Sequence, residues 1–253
     1  MRGLIHALLA AALGAPACVA AQDSPRIELE AGHGQERLTG GRSPWTDTNL
    51  ALEVKTAARQ TFTGRWRETE RFGLGDREGA LGMNLPFGEG WSATFEYTGS
   101  PTHQVLPRYS LFAQVEKQLG GGWGIHAGLR HSEYTLNHAD LRLLTVERYV
   151  GKERFAYIFY SGKPEGGGWS PSHRLQWSHF FNDRDFAGIS AARGREVENI
   201  PPGGLLASDV RNLTLFGRWW IARHWALSGE AIAHEQGSLY RRHGFRLGLR
   251  HQF

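Results

Sequence analysis

The stretch GGGWGIHAGLR, residues 120–130, carries the pattern that decides the fold. Three glycines make a tight turn, Trp123 follows it, and Ile125, Ala127 and Leu129 then alternate with His126, Gly128 and Arg130. A period of two sends successive side chains to opposite faces of a strand. One face of this strand is apolar and the other is polar and charged.

The same unit recurs outward from there. Trp91-Ala93-Phe95-Tyr97 alternates with Ser92-Thr94-Glu96, and Tyr109-Leu111-Ala113-Val115 with Ser110, Gln114 and Glu116. Leu213-Leu215-Gly217-Trp219 and Trp225-Leu227-Gly229-Ala231 repeat the pattern near the C-terminus. The turns GEGW, GGGW, GKERF, NDRDF and ARHW lead into Trp91, Trp123, Phe155, Phe186 and Trp225, spaced 32, 32, 31 and 39 residues apart. Longer segments lie between them: SPTHQVLPR, EGGGWSPS and NIPPGGLLAS. Tight turns alternating with longer loops are the rhythm of hairpins in a meander.

A soluble β-sandwich alternates as well, but its apolar face points inward and its loops do not sort by length. A β-propeller repeats four strands per blade rather than two. A transmembrane barrel has apolar residues toward lipid, aromatic girdles at both interfaces, short turns at one end and longer loops at the other. The expectation is an all-β, transmembrane, antiparallel up-and-down barrel. Segment counting gives 14 strands, starting near residues 26, 48, 60, 76, 90, 107, 122, 138, 152, 170, 184, 208, 222 and 240. Twelve is the alternative, because the first three segments are the least regular. An even number puts both termini at one end, expected to be periplasmic. At this strand number a narrow channel or a plugged lumen is expected.

Residues 1–21 read as a cleaved secretory signal. Arg2 is its charged head, LIHALLAAALGA its apolar run and Val19-Ala20-Ala21 its cleavage site, which leaves 22–253 as the barrel. The cut removes Cys18, the single cysteine, and with it thiolate metal sites, catalytic cysteine and disulfides. Cys18 as a lipidated first residue is the rival reading, but Ala15-Pro16-Ala17 fits a lipoprotein signal poorly. The mature chain keeps 28 basic against 25 acidic side chains, which is no nucleic-acid footprint.

Several segments resemble the YaiO-type outer-membrane β-barrel family: ERFGL (70–74), LPRYSL (106–111), GLRHSEY (128–134), VERYVG (146–151), SHRLQWS (172–178), GREVENIPPGGLLASDVR (194–211) and HEQGSLYRRHGFRLGLRHQF (234–253). The resemblance spans the mature chain and implies export to the outer membrane of a Gram-negative bacterium. Its implied partners are outer-membrane lipid and lipopolysaccharide, with envelope polysaccharide as a further candidate. It implies no settled catalytic residues, cofactor or metal. In such barrels a terminal aromatic on the last strand signals to the barrel-assembly machinery, so Phe253 is the expected assembly signal.

With the apolar set outward, parity turns Glu53, Arg65, Arg67, Glu96, Glu116, Arg130, Arg174, Arg218, Glu230, Arg246 and Arg250 toward the lumen. The bland reading is an ion-pair ladder, and the functional one is a polar path guiding an anionic solute. The segment 194–211 reads as the longest loop, with Glu196, Glu198, Asn199, Asp209 and Arg211 as candidates for a lid or ligand contact. His131-Ser132 and Ser178-His179 cannot act as adjacent pairs, because neighbours on a strand face opposite ways. A catalytic site would have to gather His131, His173, His234 or His243 with Ser132, Ser172, Glu133, Glu235 or Asp209 from different strands. The expected function is therefore a narrow, export-related channel or an envelope-structure protein. An outer-membrane enzyme acting on lipid or lipopolysaccharide is the alternative.

Overall fold

Alternation along the chain becomes fourteen antiparallel strands in a computed structural model that describes residues 25–200 and 204–253. The segment read as a signal, with Arg2 and Cys18, lies outside the described residues, as do Pro201, Pro202 and Gly203. The strands are β1 (Arg26–Leu38), β2 (Trp45–Lys55), β3 (Thr61–Arg71), β4 (Leu74–Pro86), β5 (Trp91–Gly99), β6 (Tyr109–Gln118) and β7 (Trp123–Glu133). They continue as β8 (His138–Val150), β9 (Glu153–Pro164), β10 (Ser170–Phe180), β11 (Phe186–Ile200), β12 (Gly204–Ala222), β13 (Trp225–Gln236) and β14 (Tyr240–Gln252). Each pairs with its sequence neighbours, and β1 pairs with β14 to close the barrel. Every start lies within four residues of its expected position, and the twelve-strand alternative is excluded.

Closure abolishes the sheet edges. The seam runs from Glu28 opposite Gln252 to Leu38 opposite Arg242. Phe253 extends it, donating its N–H to the Ile27 carbonyl at 3.0 Å. Both termini therefore lie at one end, together with six connections of two to five residues. The two longest connections, 39–44 and 100–108, lie at the other, called here the loop end.

The outer wall is apolar over its middle. Leu50, Phe95, Leu129, Leu175, Leu215 and Leu247 are among its exposed large side chains. A soluble monomer rarely exposes so continuous an apolar surface. Trp91, Trp123, Phe155 and Trp225 stand outward beside the short turns. Phe186 does not: it is buried in the barrel, packed against Phe180 and Phe216 with Arg218 over its ring. The Asn182 side chain accepts the N–H groups of Arg184 and Asp185. The turn so formed starts β11 with Phe186 on the inward parity.

The segment 194–211 is a correction. Its described residues, 194–200 and 204–211, are not a loop but the ends of β11 and β12, paired from Gly194 opposite Val210 to Ile200 opposite Gly204. These strands have 15 and 19 residues, where the other strands have 9 to 13. Gly194 allows the departure from the wall: a Cβ there would meet Ser172 Cα at 2.3 Å. Beyond it the hairpin leans over the mouth, and Val197 packs with Tyr134 and Ala139 from the β7–β8 side.

Candidate functional site

The interior divides into two halves. Toward the loop end the inward side chains are buried, and toward the terminal end many are part-exposed. The barrel is thus packed shut at one end and holds a polar vestibule at the other.

Four devices close the loop end. An apolar cluster of Phe112, Leu141, Leu143, Ile158 and Tyr160 points inward from β6, β8 and β9. On the opposite wall Trp45, Phe72 and Tyr240 pack edge to face at 4.9 to 6.2 Å, a preferred aromatic geometry. Arg71 and Arg242 both lie over the Trp45 ring, at 5.3 and 5.1 Å. The third is the connection 100–108, which turns inward and buries Val105 and Leu106. Asp76 holds it there, accepting the N–H groups of Gln104, Val105 and Leu106 at 2.9, 2.7 and 2.8 Å. The fourth is the β11–β12 hairpin. Its Asn199 amide donates to the Val105 carbonyl at 3.3 Å, and its Glu198 carboxylate accepts the Tyr240 hydroxyl. Ser172 Oγ donates to Glu196 at 3.3 Å.

The eleven charged residues read as lumenal share the inward face with these groups, and most meet an opposite charge. Arg130 donates to Glu96 at 2.9 Å. Arg67 meets Glu78 at 2.9 Å, Arg65 meets the same carboxylate at 3.4 Å, and Asp47 joins Arg67 to Arg246. Arg250 spans Glu28 and Glu30, each at 2.6 Å. Glu53 faces Lys55 at 3.5 Å. Arg174 lies over the Tyr160 ring, and Arg218 donates to the Arg184 carbonyl. Glu230 and Arg246 line one small recess with Glu36, Asp47 and Arg71. Pairing keeps these charges from standing alone where water is scarce.

Parity reading left out Glu28, Glu30, Asp47, Glu78, Glu147 and Arg154, which supply partners throughout this network. Their signal was the same inward parity on the irregular β1 and β2 and on β4, β8 and β9. The loop candidates separate. Glu196 and Glu198 are buried and Asn199 is part-buried, whereas Asp209 and Arg211 stand exposed on the outer face of β12. Sequence reading also passed over Asp76, Trp45 and Tyr240, whose partners lie far along the chain.

Histidines meet carboxylates in several places. His126 sits between Glu116 at 3.4 Å and Glu147 at 3.2 Å, and Glu147 is also held by Arg154 at 2.6 Å. These three could offer ligand atoms to a cation, though the Arg154 charge beside Glu147 opposes one. On the outer wall His131 pairs with Asp140 at 2.8 Å and His179 with Glu153 at 2.6 Å. None of these histidines has a serine partner. Ser132 bonds to Ser110 and Ser172 to Glu196, both inside, while His131, His173, His243, Glu133 and Glu235 are on the outer face. The wall itself separates Ser132 and Ser172 from those bases; His234 is the candidate histidine that lies inside, where its ring nitrogens bond Asn212 at 3.4 Å and Gln236 at 2.7 Å.

Residues 27–199 match the model of the family described as the YaiO membrane beta barrel domain. No curated protein matches the chain. Among solved structures it is similar to Omp33 of Acinetobacter baumannii, with TM-score 0.55 and 9% identity over 90% of this chain and 99% of that one. It is similar to a loop-deletion mutant of OmpT, an outer membrane protein of Vibrio cholerae, with TM-score 0.53 and 9% identity over 91% of this chain and 100% of that one. An anion-selective porin from Comamonas acidovorans gives TM-score 0.50 and 10% identity over 91% and 99%. At these identities the likeness is one of fold.

Proposed function

Because this chain belongs to the YaiO membrane β-barrel family, we propose that it serves in the outer membrane as a narrow channel closed at rest. Both termini face the periplasm in this reading, so the vestibule opens inward to the cell and the plug faces outward. Opening moves the β11–β12 hairpin and the 100–108 connection away from the mouth. The exposed path is then lined by Arg65, Arg67, Arg130, Arg246 and Arg250 with their carboxylates, and the paired charges favour a small polar or anionic solute over an apolar one.

One observation carries the reading: of the four closing elements, the β11–β12 hairpin is tied to the β14 wall by Glu198 to Tyr240 and to the 100–108 connection by Asn199 to Val105, over a part-open polar vestibule. The catalytic alternative lacks a convergent serine, histidine and carboxylate among the bonded histidines described above.

Planar-bilayer recording tests it. The native barrel is expected to be silent or to open rarely. A variant with the hairpin shortened past Gly194, or the pair Glu198→Gln with Tyr240→Phe, is expected to conduct in discrete steps. Folded, bilayer-inserted variants that stay silent would refute the channel.

A further inference from the structure

On the outer wall near the loop end, Arg193 of β11 and Arg211 of β12 are directly opposite each other in register. Both are exposed. Neither has a hydrogen bond, ion pair or ring contact among the described residues. Exposed Arg37 and Arg108 of this end share that lack, but Arg37 faces His243 and Arg108 precedes its strand, so among the described residues only Arg193 and Arg211 set two unpartnered arginines face to face. Arg195 pairs with Asp209 at 3.7 Å, Arg241 with Glu235 at 3.6 Å and Arg77 with Glu68 at 3.1 Å. The carboxylate next to Arg211 across β12–β13 is Glu235, which is engaged by Arg241. On the other side Arg193 faces His173, whose ring nitrogen bonds the Tyr157 hydroxyl at 2.7 Å. Like charges directly opposite on one sheet face destabilise the pair, so the fold tolerates a repulsion that a counter-anion would remove.

Position indicates where that anion comes from. Two residues down the strands, in the next outward row, lie Leu175, Ala191 and Leu213, followed by Trp177, Ile189 and Leu215. The arginine row is therefore about 7 Å beyond the last apolar row. The headgroup layer occupies about 5–8 Å on each side of the hydrocarbon core. Facing side chains on adjacent strands start about 5 Å apart at Cβ, and two guanidinium forks at that spacing can donate together to one phosphate.

We propose that Arg193 and Arg211 form a binding site for the phosphate of a membrane-lipid headgroup on the outer wall of the barrel. The site stands on the family's membrane setting alone and does not depend on whether the lumen conducts. It fixes a lipid against the part of the wall from which the β11–β12 hairpin departs.

Native mass spectrometry of the full barrel in mild detergent tests this. Lipid A, phosphatidylglycerol and a phosphate-free glycolipid are added separately, with inorganic phosphate as competitor. The unmodified protein is expected to retain lipid A, phosphatidylglycerol or both, and to lose the glycolipid. The double variant Arg193→Gln, Arg211→Gln is expected to lower that occupancy about tenfold or more, as loss of two charge-assisted contacts requires. Arg223→Gln, in a turn at the opposite end, is expected to change nothing. Which phospholipid is kept identifies the leaflet lipid served. Equal retention by the double variant, equal binding of the phosphate-free glycolipid, or displacement by inorganic phosphate at equal concentration would each overturn the proposal. Heat-modifiable migration verifies that the double variant is folded, and both positions are surface side chains whose loss leaves no cavity.

Discussion

The buried carboxylate of Glu198 accepts a hydrogen bond from the hydroxyl of Tyr240, joining the inward-leaning hairpin to the first residue of β14. Tyr240 packs against Trp45 and Phe72, so the bond anchors the hairpin to the aromatic cluster of the opposite wall. Tyr240→Phe keeps the ring and removes the donor. The expected result is a hairpin that opens more often, at a cost of about 1–3 kcal/mol for the carboxylate left without its donor. Faster proteolysis within residues 195–209 of the reconstituted variant, with unchanged cleavage elsewhere, is the measurement. Unchanged cleavage would mean that packing of Val197, and not this bond, holds the hairpin.

Arg130 and Glu96 form an ion pair inside the barrel, and the guanidinium also lies over the Phe112 ring at 4.8 Å. Removing one member strands the other. Glu96→Ala or Arg130→Ala is expected to lower unfolding stability by about 3–5 kcal/mol. The double replacement by apolar residues of similar volume is expected to recover most of that loss. Denaturant unfolding in lipid vesicles, followed by Trp emission, compares the three. Full additivity of the single losses would rule out a direct pairing.

The Asp76 carboxylate receives three consecutive backbone N–H groups of the 100–108 connection. Asp76→Asn keeps the shape but loses the charge and half the acceptor capacity. Gln104, Val105 and Leu106 are then expected to exchange their amide hydrogens at least tenfold faster, while the amides of β5 and β6 keep their protection. Uniform loosening of those strands would make Asp76 a general stability residue and not a loop clamp.

The strand positions were legible because each hairpin repeats the same signal, a turn, an aromatic and a two-residue alternation. Arg130 and Arg250 could be placed inside from parity alone. The plug was not legible. In Glu196-Val197-Glu198 the apolar side chain and both acidic ones are buried, which cancels the apolar-out rule as soon as the strand leaves the wall. The prolines and glycines that follow then read as a loop. Tyr240 reaches Trp45 and Phe72 only because β1 closes on β14, a relation with no local signature. Phe186 shows the limit of the aromatic rule, since one shift of parity in the turn moves a ring from lipid to lumen.

Asp185 lies in the turn between β10 and β11, outside the spanning strands. Burial pushes its carboxyl up, but the Trp220 N–H at 2.7 Å, the Asn182 amide at 2.7 Å and the nearby Arg184 charge outweigh this and hold it below the usual range. A depressed acid contributes stability at pH above its unfolded value and loses it as pH falls through the folded one. The turn is expected to loosen only in strong acid, below about pH 4. Asp185→Asn is expected to flatten that acid limb. Amide exchange at Trp220 against pH reads it, and an identical acid limb in the variant would remove Asp185 as its cause.

Phe253 closes the seam through its main chain, while the residue is 67% exposed and its ring meets the His251 ring with centroids 4.5 Å apart. So little packing means that deleting it costs the finished barrel little, about 1 kcal/mol or less. Its expected role is recognition by the barrel-assembly machinery, which acts before the barrel is closed. The two roles separate cleanly. Chain lacking Phe253 is expected to refold in detergent to a barrel with normal heat-modifiable migration, yet to accumulate unassembled in cells. Phe253→Ala is expected to behave like the deletion and Phe253→Trp like the native chain. Normal cellular assembly of the deletion would reduce Phe253 to the last residue of a strand, and failed refolding in detergent would place its importance in the seam itself.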